Sequence, residues 1–173
     1  GLGDVYKRQL LLRVTGDDPS AEMATYERWW GERRIDGAIL VDERFRDPRV
    51  DLVESIGLPA VLCGGPVKGA GIPCLWTDQG GDAAQVVRHL ADLGHTHIGH
   101  IGGPTEFVHE RARKRGVLRA ARALDVRVSA VEAAYTGPQA EDATRRMLAE
   151  ADAPTAVVYG SDVMALGGLR AAA

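Results

Sequence analysis

In this 173-residue chain the side chains best equipped for chemistry are one arginine, a histidine cluster and a few aspartates. Helical periodicity puts Arg113 on one face with Val117, Ala120 and Leu124, so it points inward rather than to bulk water. A buried arginine needs a partner. Either a carboxylate or a backbone carbonyl satisfies it, or its donor fork is held for the hydroxyl or carboxylate oxygens of a ligand, and the sequence leaves both open. His109 lies one turn earlier on the same face. His95, His97 and His100 invite a metal, but alternation along a strand sends residues 97 and 100 to opposite faces, and no cysteine or carboxylate stands at ligand spacing. Asp17, Asp18 and Asp78 each follow an apolar run, as carboxylates for acid–base work would. Yet there is no G-x-S-x-G elbow and no Ser–His–Asp order, and helix capping accounts for all three. The expectation is a binding protein and not an enzyme, with no catalytic residue, no metal and no cofactor.

Three further places bear on a ligand. Gly102-Gly103-Pro104-Thr105 follows a strand and could let a ligand approach the backbone at a helix N-terminus. It is not G-x-G-x-x-G and no Walker lysine follows, so a plain tight turn is the simpler reading. Tyr135 closes an apolar run and offers either a stacking face or edge-of-core packing. Ser161-Asp162 offers a hydroxyl to a ligand and, through Asp162, an N-cap to the next helix. Arg111, Arg115, Arg119 and Arg122 form a separate stripe that reads as a solvated face.

The elements that must position these groups alternate between strand-length apolar runs and helical periodicity, the signature of βαβ units and a parallel sheet. Strands are expected at 10–14, 36–41, 59–63, 73–77, 97–101, 131–135 and 155–159. Helices are expected at about 19–34, with Met23, Tyr26 and Trp30 at helical spacing, and at about 47–56. A third, about 80–93, carries Ala83, Val86, Val87, Leu90 and Leu93 on one face and stops at Gly94. The others cover about 106–124, about 139–150 and the segment after Ser161-Asp162. Parallel sheets bind ligands outside the carboxyl ends of their strands, where Arg113, Tyr135 and Ser161 fall.

Composition bounds the possibilities. With 45% hydrophobic and 26% charged residues the chain fits one large domain or two small ones. Twenty-one basic against 24 acidic residues make no polyanion-binding surface, and the apolar runs stop well short of the ~20 residues of a membrane span. Cys63 and Cys74, without a secretory signal in front, read as idle thiols of a reducing compartment, which points to the cytoplasm. Residues 1–9 show neither an apolar signal core nor periodicity and are set apart as a doubtful segment. Gly168 to Ala173 ends in mid-helix with no capping Gly or Pro, so the chain reads as a fragment truncated at both ends.

Several stretches, in this order and spacing, resemble the effector-binding domain of the LacI/GalR family of bacterial transcriptional regulators. They are Arg34-Ile35-Asp36-Gly37-Ala38-Ile39-Leu40, then Leu75-Trp76-Thr77-Asp78, then His89 to His95 running into Ile98 to Pro104, then Arg113-Lys114-Arg115-Gly116, and finally Tyr159 to Gly167. The resemblance covers about residues 10–173. It implies a periplasmic-binding-protein-like α/β fold of two doubly wound parallel-sheet subdomains, 10–94 and 95–173, with a small effector in the cleft between them. It also implies a sugar or nucleobase effector, ligand-controlled repression, a homodimer, no membrane, and operator DNA bound through a helix-turn-helix absent from this chain. Carried over by position, Arg113, His109, Tyr135, Ser161 and Asp162 are the effector-binding candidates. Ser161 departs from the family's asparagine, offering one hydroxyl where an amide both donates and accepts. Cys63-Gly64-Gly65-Pro66 stands where the family commonly has an Asp-Arg pair before the proline, which implies a more open cleft wall. A solute-binding protein of a sugar transport system shares the fold and is the alternative; a hydrolase on the same sheet is a third reading, against which stands the missing nucleophile–base pair.

Overall fold

A computed structural model describes residues 9–15, 18–65 and 71–173. Asp17, Pro66 and all but Gln9 of the doubtful segment lie outside the described residues. Two three-stranded parallel sheets organise the rest. The first joins β1 (Ala38–Leu40), β2 (Ala60–Gly64) and β3 (Cys74–Trp76) in the order β1-β2-β3. The second has the order β5-β4-β6, from β4 (His97–Gly102), β5 (Arg127–Glu132) and β6 (Ala156–Tyr159).

On the first sheet, α1 (Pro19–Gly31) and α2 (Pro48–Ser55) supply the cover. Leu40, Val50, Val53, Leu58 and Leu62 are buried together, with Tyr26 and Trp30 packed against them and the Trp30 indole donating to the Ile56 carbonyl at 2.9 Å. Asp18 caps α1 by accepting from Ser20 N, and Asp47 caps α2 by accepting from Arg49 N, each with a proline in the first turn where a missing N–H costs nothing. The Arg49 side chain, 4% exposed, spans these elements by donating to Asp47, Glu22 and the carbonyls of Val41 and Asp42. Burial alone would push Asp47 up, but the Arg49 guanidinium and two backbone amides hold it below the usual carboxylate range.

The second sheet is covered on both faces, which is why every residue of its central strand β4 is buried. On one face α3 (Gln79–Asp92) and α4 (Val108–Ala123) bury Ala84, Val87, Val117, Ala120 and Ala121 with Ile98. On the other, α5 (Gly137–Leu148) and α6 (Asp162–Ala172) bury Ala140, Ala143, Met147 and Met164 with Ile101. Although α3 precedes residue 94, its buried residues belong to this second core. It ends as its sequence requires, with Gly94 at φ +93.

Four expectations are corrected. Residues 10–14 form no strand: among the described residues they have no ladder partner, and Leu10, Leu12 and Val14 are more than 80% exposed. The strand expected at 131–135 runs instead from Arg127 to Glu132, because it must match β4 residue for residue, from His97↔Arg127 to Gly102↔Glu132. It is an edge strand, so Arg127, Ser129 and Glu132 are tolerated in it, and those polar residues hid it. Ser161, with extended φ −154 and ψ 163, caps α6 by accepting from Met164 N, while Asp162 is already inside the helix. Val86, Leu93 and Leu124 are largely exposed, so the apolar stripes of α3 and α4 are narrower than their spacing implied.

Candidate functional site

The carboxyl ends of β4, β5 and β6 bring four of the expected residues into one place. Arg113, in the second turn of α4, is 28% exposed and largely committed to protein partners. Its Nη1 donates to Glu110 Oε1 at 2.5 Å and to the Gly160 carbonyl at 2.8 Å, and its Nε to Gln79 Oε1 at 2.8 Å. The open question about this arginine is answered on its structural side by a carboxylate and a carbonyl together. Among the described residues Nη2 takes no partner. The bond to Gly160 O sets Arg113 beside Ser161, the next residue, whose hydroxyl also caps α6. Asp162 follows it and is exposed.

His109 and Tyr135 form the second part. Tyr135 stands three residues beyond the end of β5, in the loop before α5, and its hydroxyl lies 2.7 Å from His109 Nε2. Phe107 stacks on His109, with ring centroids 5.4 Å apart and planes 13° off parallel, and the Tyr135 ring completes a three-ring wall. Burial, helped by the Arg113 charge, holds the His109 imidazole below its ordinary pKa. Burial beside Glu110 pushes the Tyr135 hydroxyl well above its own. At neutral pH both are uncharged, suited to hydrogen bonding and stacking.

Glu110 is the group that residue-by-residue reading missed. Its side chain is 1% exposed, and it accepts from Gly103 N at 2.7 Å as well as from Arg113. The Gly102-Gly103 turn therefore serves the protein first, presenting an amide to a buried carboxylate. The signal was present: Glu110 and Arg113 are three residues apart, on one helix face. Next to Glu110 is His100, 3% exposed, with both ring nitrogens unpartnered among the described residues. A Cβ on Gly102 would stand 3.0 Å from His100 Nε2 and 3.2 Å from Glu110 Oε2, and a small cavity of about 10 Å³ touches both, near the size of one water. Burial pushes the His100 pKa down. His97, on the opposite face, contacts Ser129 and Arg127, and the described residues contain no group of three His, Cys, Asp or Glu placed to hold a metal.

From the first sheet, the loop after β1 reaches this place. Residues 43–45 pair antiparallel with residues 106–108: Phe45 N donates to Glu106 O at 3.0 Å and Val108 N to Glu43 O at 2.9 Å. The Glu43 carboxylate turns the other way, accepting from Gly65 N at 2.6 Å. A Cβ on Gly64 would come within 2.7 Å of Glu43 Oε2, and one on Gly65 within 2.6 Å of Val108 Cγ1. Glu43 and Val108 thus take part of the space the missing side chains vacate, and the rest opens on a cavity that both Gly64 and Gly65 line. Beside this seam a larger cavity of about 520 Å³ is bounded by Gly65, Trp76, Asp78, Gln79, His109 and Arg115. Of the expected site residues it touches His109 alone.

This architecture has relatives. A family model for the periplasmic binding protein-like domain matches residues 87–173. The HTH-type transcriptional regulator AglR of Rhizobium meliloti (strain 1021) is 30% identical over 157 residues, 88% of this chain and 44% of that protein. A solved LacI family transcriptional regulator from Bifidobacterium animalis subsp. lactis DSM 10140 superposes with a TM-score of 0.88 at 30% identity, over 99% of this chain and 64% of that one. The chain belongs to the LacI/GalR-type periplasmic binding protein-like domains. Catabolite control protein A of Priestia megaterium is 29% identical over 99% of this chain and 52% of its own length, so the domain spans about half the length of the curated relatives it matches. The Cra dual regulator from Pseudomonas putida, solved with fructose 1-phosphate, has the same fold at 21% identity and a TM-score of 0.80, over 97% of this chain and 63% of that one. Among the described residues no helix is long and apolar enough to cross a membrane.

Proposed function

We propose that this domain senses a small-molecule effector, a carbohydrate, for a cytoplasmic DNA-binding repressor, and that it acts by binding and not by turnover. The effector sits against His109, Arg113, Tyr135, Ser161 and Asp162, with the first sheet's loops as the opposite wall. The observation that carries this reading is the convergence of a hydrogen-bonding fork, an aromatic wall and a helix start at the carboxyl ends of one parallel sheet. Curated relatives named as a transcriptional regulator and a transcriptional repressor favour regulation over transport. In the intact polypeptide, segments 10–94 and 95–173 are parts of two subdomains, with α3 of the first segment packed on the second sheet; a helix-turn-helix reads operator DNA, and two copies pair as a homodimer.

A ligand shifts a conformational equilibrium only by its differential affinity for the two states. A cleft whose walls come from two sheets meets that condition, because the effector completes its contacts in one relative placement of the walls. The test is operator affinity of the full-length protein with and without a panel of sugars. A change of roughly 5- to 150-fold is expected for the cognate effector; an operator affinity indifferent to every sugar that binds would defeat the proposal.

A further inference from the structure

The charges around Arg113 say what kind of molecule this site admits. The one guanidinium aimed at the expected ligand position is already neutralised by Glu110, and a second donor nitrogen is held by Gln79. A phosphate or carboxylate is held best by two parallel N–H donors of one uncommitted guanidinium. Arg113 has only Nη2 to give. Further carboxylates belong to this end of the sheet: Asp162 in the first turn of α6, Glu132 lining the small cavity with Glu110 and Lys114, and Asp42, whose charge acts on both His109 and Tyr135. His109, held below its ordinary pKa, adds no positive charge at neutral pH. A third cation, the Arg44 guanidinium over the Phe107 ring, is itself within ion-pair range of Glu22 and Glu106. An anion that took the Arg113 charge would displace Glu110 from its partner, leaving a carboxylate buried and unpaired. A hydroxyl asks for less: one donor from Nη2, acceptors from carboxylate oxygens, and an apolar ring face laid on Phe107, His109 and Tyr135.

We infer that the effector is an uncharged, hydroxyl-bearing molecule, and that Glu110 is the specificity-determining residue that excludes phosphorylated and carboxylated ones. This rests on the effector-binding reading above, and the experiment separates the two. The full-length protein is titrated, by calorimetry and thermal shift, with neutral mono- and disaccharides including fructose, with fructose 1-phosphate and with inorganic phosphate. At least one neutral sugar binds, and neither phosphate compound does. Glu110→Gln keeps the shape and an acceptor for Gly103 N while freeing the Arg113 charge; it gains at least tenfold in affinity for fructose 1-phosphate or inorganic phosphate. Glu141→Gln, the same charge change on α5, leaves phosphate affinity unaltered. Preference of the wild-type protein for fructose 1-phosphate over every neutral sugar overturns this inference while the effector reading stands. Equal gains from Glu110→Gln and Glu141→Gln overturn it too, by reducing the effect to net charge. Silence from every compound overturns the effector reading and this inference with it. Should Glu110→Gln not fold, the wild-type comparison of neutral and phosphorylated sugars decides alone.

Discussion

Removing the Arg113 side chain would strand Glu110, 1% exposed, without the cation it faces. Breaking a buried pair from that side costs about 3 kcal/mol or more. Glu110→Gln retains a polar partner and leaves Arg113 with Gln79, Gly160 and solvent, so about 1–2 kcal/mol is expected there. Urea denaturation of the full-length protein should therefore rank Arg113→Ala as the more destabilising variant, and a reversed order would mean that the pair is not the main tie. The inward direction of Arg113 was legible from its helix face; that its answer lay three residues away was equally available and went unread, because Glu110 taken singly looks like an ordinary helix-surface charge. His100 was read only as a failed metal ligand. Burial holds its folded pKa below the ordinary 6.5, so the unfolded chain binds the proton more readily. Its contribution to stability is complete above pH 6.5 and is lost as the pH falls from there toward the folded value. His100→Leu should flatten that acid limb in a series of Tm measurements, and an unchanged limb would assign it to other groups.

Two glycine contacts govern how closely the helices covering the second sheet approach. A Cβ on Gly116 of α4 would collide with the carbonyl oxygen of Gly80 at the start of α3, and one on Gly167 of α6 with that of Gly137 at the start of α5. Gly116→Ala and Gly167→Ala should each lower stability by about 1–3 kcal/mol, despite alanine's better helix propensity, since backbone must move to admit the methyl group. A chemical-denaturation midpoint that rises in either variant would show that the helices separate freely. Helices were well read from the sequence, because their apolar spacing and caps are local. Strands were read where they are central: β4, with neighbours on both edges and helices on both faces, is buried throughout and was found nearly to the residue. Edge strand β5 needs only one ladder and tolerates polar residues, so its start was missed by four positions. Residues 10–14 failed for the complementary reason, since apolar composition predicts a strand only where a partner is at hand to pair with it.

At the scale of the whole molecule, alternation of elements gave away a parallel α/β fold, and the order of motifs placed it among LacI/GalR-type domains. How the two sheets meet was not legible. No pattern in residues 43–45 or 106–108 announces that they pair, because such a seam depends on where two loops arrive and not on their own periodicity. The same long-range dependence hid the approach of Glu43 and Val108 to Gly64 and Gly65. That seam has a kinetic corollary. The amide protons of Phe45 and Val108, 63 positions apart in sequence, are sequestered by a single event, the meeting of two loops, so one parting motion exposes both to solvent deuterium at once. Their exchange should run in step, with equal protection, and a molecule lodged between the sheets should slow both by the same factor. The pair would then act as a two-point clock for how often the cleft opens, readable without any DNA in the tube.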